Sequence, residues 1–173
     1  MQKLNVLFTL ILLSTSYLHA SGDLEPLTIE MSDPKVRITI PGMPKIDMAV
    51  HPMNEHEPYF RLLGSNGRTS ISIITQQIDG VNTPMSCATE IANTILELDS
   101  VGRDQVFLGR ANEQTFLIIY GVPMDKSVLL NTHIISATKD NGCVEAHVSK
   151  ISTSDSDIEP WFNEFGDSKI EIL

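Results

Sequence analysis

The sequence predicts an α+β fold: a mostly antiparallel central sheet with helices packed on both faces, an alpha/beta/alpha sandwich. Two Asn-Gly pairs, at residues 66–67 and 141–142, each lie between stretches that alternate apolar and polar residues, which is typical of hairpins. Between them, residues 84–98 change to a helical period. The strand predicted at residues 116–120 is apolar on both alternating sets, which indicates one layer above the sheet and another below it.

The chain begins with a segment typical of a cleavable export signal. A short apolar run at residues 4–13 follows one lysine, and Ala20 precedes Ser21 and Gly22. The run is shorter than the roughly 20 residues that span a bilayer as a helix. We therefore predict a signal peptide at residues 1–20 and a single globular domain at 21–173, periplasmic or secreted, without stable membrane insertion. A buried N-terminal helix is the alternative.

The chain is acidic. It has 22 acidic and 12 basic residues and a net charge of −10, which becomes −11 when residues 1–20, with one lysine and no acid, are removed. This charge argues against nucleic acid and anionic membranes as partners. It favours a cationic protein partner, although solubility after export explains it as well.

Two cysteines, Cys87 and Cys143, lie in the predicted mature region. Export places them in an oxidising compartment, where a pair forms a disulfide. The bridge would close a loop of about 55 residues and contribute about 4 kcal/mol in the chain-entropy model. Two buried free thiols, or one reactive cysteine, are the alternatives.

The region before the first hairpin is predicted to contain two short strands and a loop. Residues 36–40 and 46–50 are the strands, separated by a Pro-Gly turn, and the residues before them form a loose acidic start. Residues 51–58, rich in Pro, His and Glu, are the loop.

The Asn-Gly pairs also predict the register of the hairpins. Placing the first pair at the centre of a two-residue turn sets Leu62 opposite Ile71. Placing the second there sets Ile135 opposite Val148 and leaves Glu145 and His147 on an exposed polar face. A further hairpin is predicted to turn at residues 111–113.

Two helices are predicted. The first carries one apolar stripe and has Cys87 in its first turn. The second begins at a capping box, Ser156 to Glu159, and is short because Pro160 falls near its start. Its apolar stripe includes Trp161 and Phe165, and residues 169–173 follow as an edge strand.

The candidates for chemistry are four histidines and their neighbouring acids. His51 and His56 flank Glu55 and Glu57 in one loop, where a surface metal site is conceivable beside the simpler interpretation of a solvated loop. Glu145 and His147 could form an acid–base pair, although an exposed strand face needs polar residues in any case. His133 lies with the apolar set and is expected to be half-buried and satisfied. No nucleophile elbow, Gly-rich phosphate loop or calcium loop is present, so we predict neither an enzyme nor a cofactor.

Five stretches follow one another over residues 36–172: "ITIPGMP", "MSCATEIANTILEL", "FLIIYGVP", "HIISATKDNGCVEAHVSK" and "EPWFNEFGDSKIEI". In this order they resemble the PsbP-like alpha/beta/alpha sandwich superfamily. The superfamily includes photosystem accessory subunits, a nuclear-transport factor and bacterial envelope lipoproteins, so the resemblance implies a role in binding or assembly. The cysteine pair departs from the superfamily pattern.

These observations predict an exported, non-enzymatic periplasmic protein that binds another protein as an accessory or assembly factor. The first alternative is an acidic immunity or inhibitor protein that neutralises a cationic toxin or hydrolase. The second is a metal-assisted hydrolase that uses His51, His56 and neighbouring acids. The predicted contact residues are polar side chains of loops and hairpin ends: His51, Glu55, His56, Glu57, Arg61, Asn66 and Arg68.

Overall fold

The computed structural model describes residues 25–50, 60–102, 105–140, 142–152 and 163–173. Ten strands and one helix are formed there: β1 Glu25–Ser32, β2 Lys35–Met43, β3 Met48–Val50, β4 Phe60–Ser65, β5 Thr69–Gln77, α1 Pro84–Leu96, β6 Val106–Asn112, β7 Thr115–Pro123, β8 Val128–Ala137, β9 Gly142–Ser152 and β10 Lys169–Ile172. They make a three-stranded sheet in the order β1-β2-β10 and a seven-stranded sheet in the order β3-β4-β5-β9-β8-β7-β6. All pairings are antiparallel.

The three-stranded sheet packs on one face of the seven-stranded sheet. Alternate residues of β2 point inward and are fully buried, and Phe165, from a helical turn at residues 163–165, joins them. The shared core is apolar: Ile29, Val36, Ile38, Ile40, Met43, Ile46, Ile71, Ile73, Leu117, Val128, Leu130, Ile134, Val144, Ala146, Val148, Phe165 and Ile170.

Helix α1 packs on the other face. Thr83 caps its first turn by accepting a hydrogen bond from the Ser86 N–H, and Pro84 occupies the first turn, where its missing N–H costs nothing. The apolar stripe of the helix contacts β6, β7 and β8. This second core contains Val81, Cys87, Ala88, Ile91, Ala92, Ile95, Val101, Phe116, Ile118, Tyr120, Ile135 and Cys143.

The predicted alpha/beta/alpha sandwich is wrong, because a second sheet covers the face that was assigned to helices. The fold is mostly β, with one helix layer and one β layer. Residues 25–32, predicted to be loose, form β1: Leu27, Ile29 and Met31 turn inward at every second position, with Thr28 and Glu30 between them. The Pro-Gly pair does not end β2, which continues to Met43 with Gly42 at φ +62°.

Both predicted hairpin registers are also wrong. At the first hairpin Leu62 lies opposite Ile73, a shift of two residues that keeps each side chain on its predicted face. At the last, Ile135 lies opposite Glu145, a shift of three that exchanges the faces of β8 relative to β9. The cause is a longer loop, in which the Thr138 hydroxyl accepts a hydrogen bond from the Gly142 N–H.

Several predictions are confirmed. Helix α1 and the strand that is buried on both faces, now β7, form where expected. Residues 169–172 form the edge strand β10. Cys87 and Cys143 are joined by a disulfide that links the start of α1 to the start of β9, with the two Cα atoms 5.7 Å apart. The predicted signal peptide, the loop at 51–58 and the start of the second helix lie outside the described residues.

Candidate functional site

Two imidazoles and a carboxylate meet on the α1 face of the seven-stranded sheet. His133 on β8 lies opposite His147 on β9, and Glu145 lies two residues before His147 on the same face. His133 and Glu145 are each only 6% exposed, whereas His147 is half-buried. We call His133, Glu145 and His147 the histidine cluster.

The side chains of the histidine cluster contact one another closely. The Nδ1 atom of His133 is 2.6 Å from Oε1 of Glu145. The two imidazole rings stack with their centroids 4.3 Å apart and their planes 11° from parallel. Tyr120 stacks on the far side of His133, at 5.5 Å between centroids, and its hydroxyl is 3.4 Å from Nε2 of that histidine.

Hydrogen bonds around the cluster indicate where the imidazole protons lie. The Asn131 amide nitrogen donates to the Leu129 carbonyl, so its Oδ1 faces His147 and accepts from Nε2 at 3.0 Å. Ser149 donates to the same oxygen at 2.8 Å. Because Oδ1 can only accept, Nε2 of His147 carries a hydrogen and the neutral ring keeps its lone pair on Nδ1.

Burial keeps two groups near Glu145 in their uncharged forms, the His147 ring and the Tyr120 hydroxyl. Burial, with a smaller contribution from His133, lowers the pKa of His147 well below its ordinary value, so this ring is neutral at neutral pH. Burial also raises the pKa of Tyr120, and the Glu145 carboxylate adds to the rise, so the phenol stays protonated and able to donate.

The histidine cluster offers the ligand atoms of a metal site. One nitrogen from each imidazole and one oxygen of the carboxylate all lie within 4.8 Å of one another, so the three side chains could hold a metal ion. The acid–base pair between Glu145 and His147, which the sequence analysis considered beside a simple polar face, is not formed, because the carboxylate contacts His133 instead. The face is also largely buried, where the sequence predicted an exposed one.

A second feature is an open groove beside the edge strand β6. The groove has a volume of about 500 Å³ and lies between β6 and the start of α1. It is lined by Thr83, Pro84, Met85, Leu108, Gly109, Arg110, Glu113 and Phe116. Met85 and Leu108 are 50% and 47% exposed, and Phe107, on the opposite face of β6, is 49% exposed.

The predicted contact residues that the structure describes, Arg61, Asn66 and Arg68, lie at neither feature. His51, Glu55, His56 and Glu57 lie outside the described residues. Arg61 donates from Nε to the Thr75 hydroxyl at 2.6 Å. Asn66 closes the β4–β5 turn by accepting from the N–H groups of Arg68 and Thr69. This turn belongs to the opposite half of the sheet from β6.

Sequence reasoning missed both features for the same reason. His133, Glu145 and His147 meet only in the observed register, and the predicted register put His133 on the other face. The groove depends on β6 being an edge strand, and strand order is not visible in the sequence. The sequence does show two adjacent apolar residues, Phe107 and Leu108, but only the structure shows that both are exposed.

Comparison with known proteins shows the fold alone. The chain matches no family model, and the search of curated proteins found no match. Among solved structures it is similar to a mutant of protein Mog1, with a TM-score of 0.51 and 10% identity over 82% of this chain and 85% of that one. The resemblance to the PsbP-like superfamily stays a prediction. In the described part of the chain, none of the helices has the length and apolarity needed to cross a bilayer.

Proposed function

We propose that this chain is an exported, non-enzymatic protein, periplasmic or secreted, that binds another protein as an accessory or assembly factor. The disulfide supports an oxidising compartment. The observation that carries the binding role is the edge strand β6, which ends the seven-stranded sheet and exposes apolar side chains on both of its faces.

The partner presents an extended, mainly apolar segment. An edge strand offers unpaired backbone N–H and C=O groups, and an incoming strand pairs with them by adding to the sheet. Side chains of the added strand alternate between faces, so one set rests in the groove on Met85 and Leu108 while the other covers Phe107. Natural edge strands are usually protected by charges or bulges. In β6 a register irregularity lies between Arg110 and Asn112, and residues 106–109 before it carry no charge.

Arg110 shapes one end of this surface. Its guanidinium lies 5.5 Å from the centre of the Phe116 ring and donates to the Glu113 carbonyl at 3.3 Å. These contacts use part of its five N–H donors. A carboxylate on the partner segment would find a fixed cation here, on a chain that is otherwise strongly acidic.

The test is affinity capture from the native envelope with the mature, disulfide-bonded protein as bait. Leu108→Lys places a charge in the groove, and we expect it to abolish retention of the partner. Ile151→Lys is the matched control, because Ile151 is also a strand residue and is 48% exposed. It should retain the partner.

Equal retention by both variants would contradict the groove as the binding surface. So would a β6-dependent dimer of the chain itself, measured by light scattering, because the occupant would then be a second copy.

The acidic inhibitor is the second candidate, and the net charge of −10 favours it. Association with a cationic toxin or hydrolase would be steered by charge and would weaken strongly with salt. Capture at low and high salt separates the two: an apolar strand addition survives high salt, whereas a single basic enzyme is released.

A further inference from the structure

We propose that His133, Glu145 and His147 form a binding site for a zinc ion. Each residue contributes one ligand: an imidazole nitrogen from either histidine and a carboxylate oxygen from Glu145. The site lies on strands β8 and β9 and shares no residue with the groove beside β6. The zinc proposal can therefore be tested independently of the proposed protein partner.

The composition of the cluster is difficult to explain by stability alone. Neighbouring residues on the same sheet face, such as Ile135 and Cys143, are apolar and fully buried. A buried pair of an acid and a base is often no more stabilising than apolar residues of the same volume. Residues that break the local pattern in this way are expected at functional sites.

The donor set matches zinc. Two imidazole nitrogens and one carboxylate oxygen are borderline ligands, and zinc sites with three protein ligands keep a fourth position for water. One carboxylate leaves a Zn²⁺ site with a single net positive charge.

A hydrogen bond to Asn131 already fixes the tautomer of one would-be ligand, His147. The Asn131 oxygen holds Nε2–H of His147, which leaves Nδ1 of that ring with its lone pair. Ligating histidines generally donate their second N–H to an oxygen in this way. Tyr120 and Ser149 complete a shell of hydroxyl groups around the two rings.

Binding requires changes of side-chain geometry, and the 2.6 Å contact between Nδ1 of His133 and Glu145 must also widen when Nδ1 is the ligand atom. Zinc–ligand bonds of about 2.0–2.2 Å place the donors about 3.3 Å apart, whereas the three atoms here lie within 4.8 Å. Nearly parallel stacked rings cannot both point their lone pairs at one ion, so one ring must turn. His147 is the ring that turns, because it is half-buried while His133 is held between Tyr120 and Glu145.

The test is calorimetric titration of the chelator-treated, disulfide-intact mature protein with zinc chloride. We expect one ion per chain, and an affinity at least about tenfold lower in Glu145→Gln and in His147→Gln, since each removes one ligand. The double variant His51→Asn with His56→Asn is the control for the loop histidines and should bind as the original protein does. Circular dichroism verifies that each variant is folded.

A measurement on the unsubstituted protein guards against loss of folding in the variants. X-ray absorption of the zinc-loaded protein should report two imidazole ligands and one carboxylate. Absence of zinc binding, a single imidazole in the spectrum, or affinity that is unchanged in His147→Gln and lost in the loop double variant would each overturn the proposal.

Discussion

The two faces of the seven-stranded sheet are built on different principles. The face against the three-stranded sheet is filled mainly by aliphatic side chains that interdigitate, and Thr115 adds a buried hydrogen bond that its hydroxyl accepts from the Ile170 N–H. The face under α1 is apolar where the helix covers it but carries hydrogen-bonded polar groups farther along β8 and β9. The second face also has the covalent bond between the layers, from Cys87 to Cys143.

The difference separates what stabilises the fold from what is available for function. An aliphatic core tolerates exchange of residues of similar volume, because only volume and apolarity matter there. A buried polar network requires each partner in place, since an unpaired buried group costs its full desolvation energy. The helix face is therefore the face where single substitutions should have specific consequences.

Loss of the disulfide should have the largest effect. Replacing both Cys87 and Cys143 by Ala releases a loop of 56 residues, and we expect the free energy of unfolding to fall by about 4 kcal/mol. Denaturant unfolding of the oxidised original protein and of the double variant measures this difference in unfolding free energy. Hydrogen exchange should show α1 losing protection more than β2, since the disulfide anchors α1, whereas β2 is held by backbone pairing with β1 and β10 and by apolar packing. Uniform loss across both layers would contradict the contrast between the faces.

Breaking the buried contact between His133 and Glu145 on the helix face should have the second-largest effect on stability. His133→Leu leaves the Glu145 carboxylate buried without its partner, and we expect a loss of about 3 kcal/mol in unfolding free energy. Adding Glu145→Leu should recover most of that loss, because the double variant buries only apolar groups. A double variant less stable than the single one would show that the network itself stabilises the fold.

The pH dependence of stability should be smaller and specific to His147. Its pKa is lowered in the folded state, so the unfolded chain binds more protons below about pH 6.5. The stability from this residue is complete above that pH and is lost as the pH falls, by at most about 1.4 kcal/mol per pH unit. In chelator, His147→Gln should flatten this part of the curve. A curve of unchanged slope would contradict the assignment.

The fold was predictable from the sequence wherever a local signal agreed with tertiary packing. The change of period at residues 84–98 predicted α1, and the doubly apolar strand predicted covered faces. Residues 25–32 carry a period of two, but the acidic residues among them obscured it, and so a strand was missed. Because β1 was missed, the sequence analysis did not predict that a second sheet, β1-β2-β10, covers one face of the seven-stranded sheet.

The sequence by itself determined the helix and the existence of two buried faces, because periodicity and apolar runs are properties of neighbouring residues. It offered the cysteine pair, but bridging depended on the fold, which places the two Cα atoms 5.7 Å apart. Only the tertiary structure decided which layer covers each face, which strand is left at the edge, and which side chains meet across β8 and β9. A side-chain period of two makes any odd shift of register exchange the faces. The longer loop closed by Thr138 made that shift, and it brought His133 to Glu145 and His147.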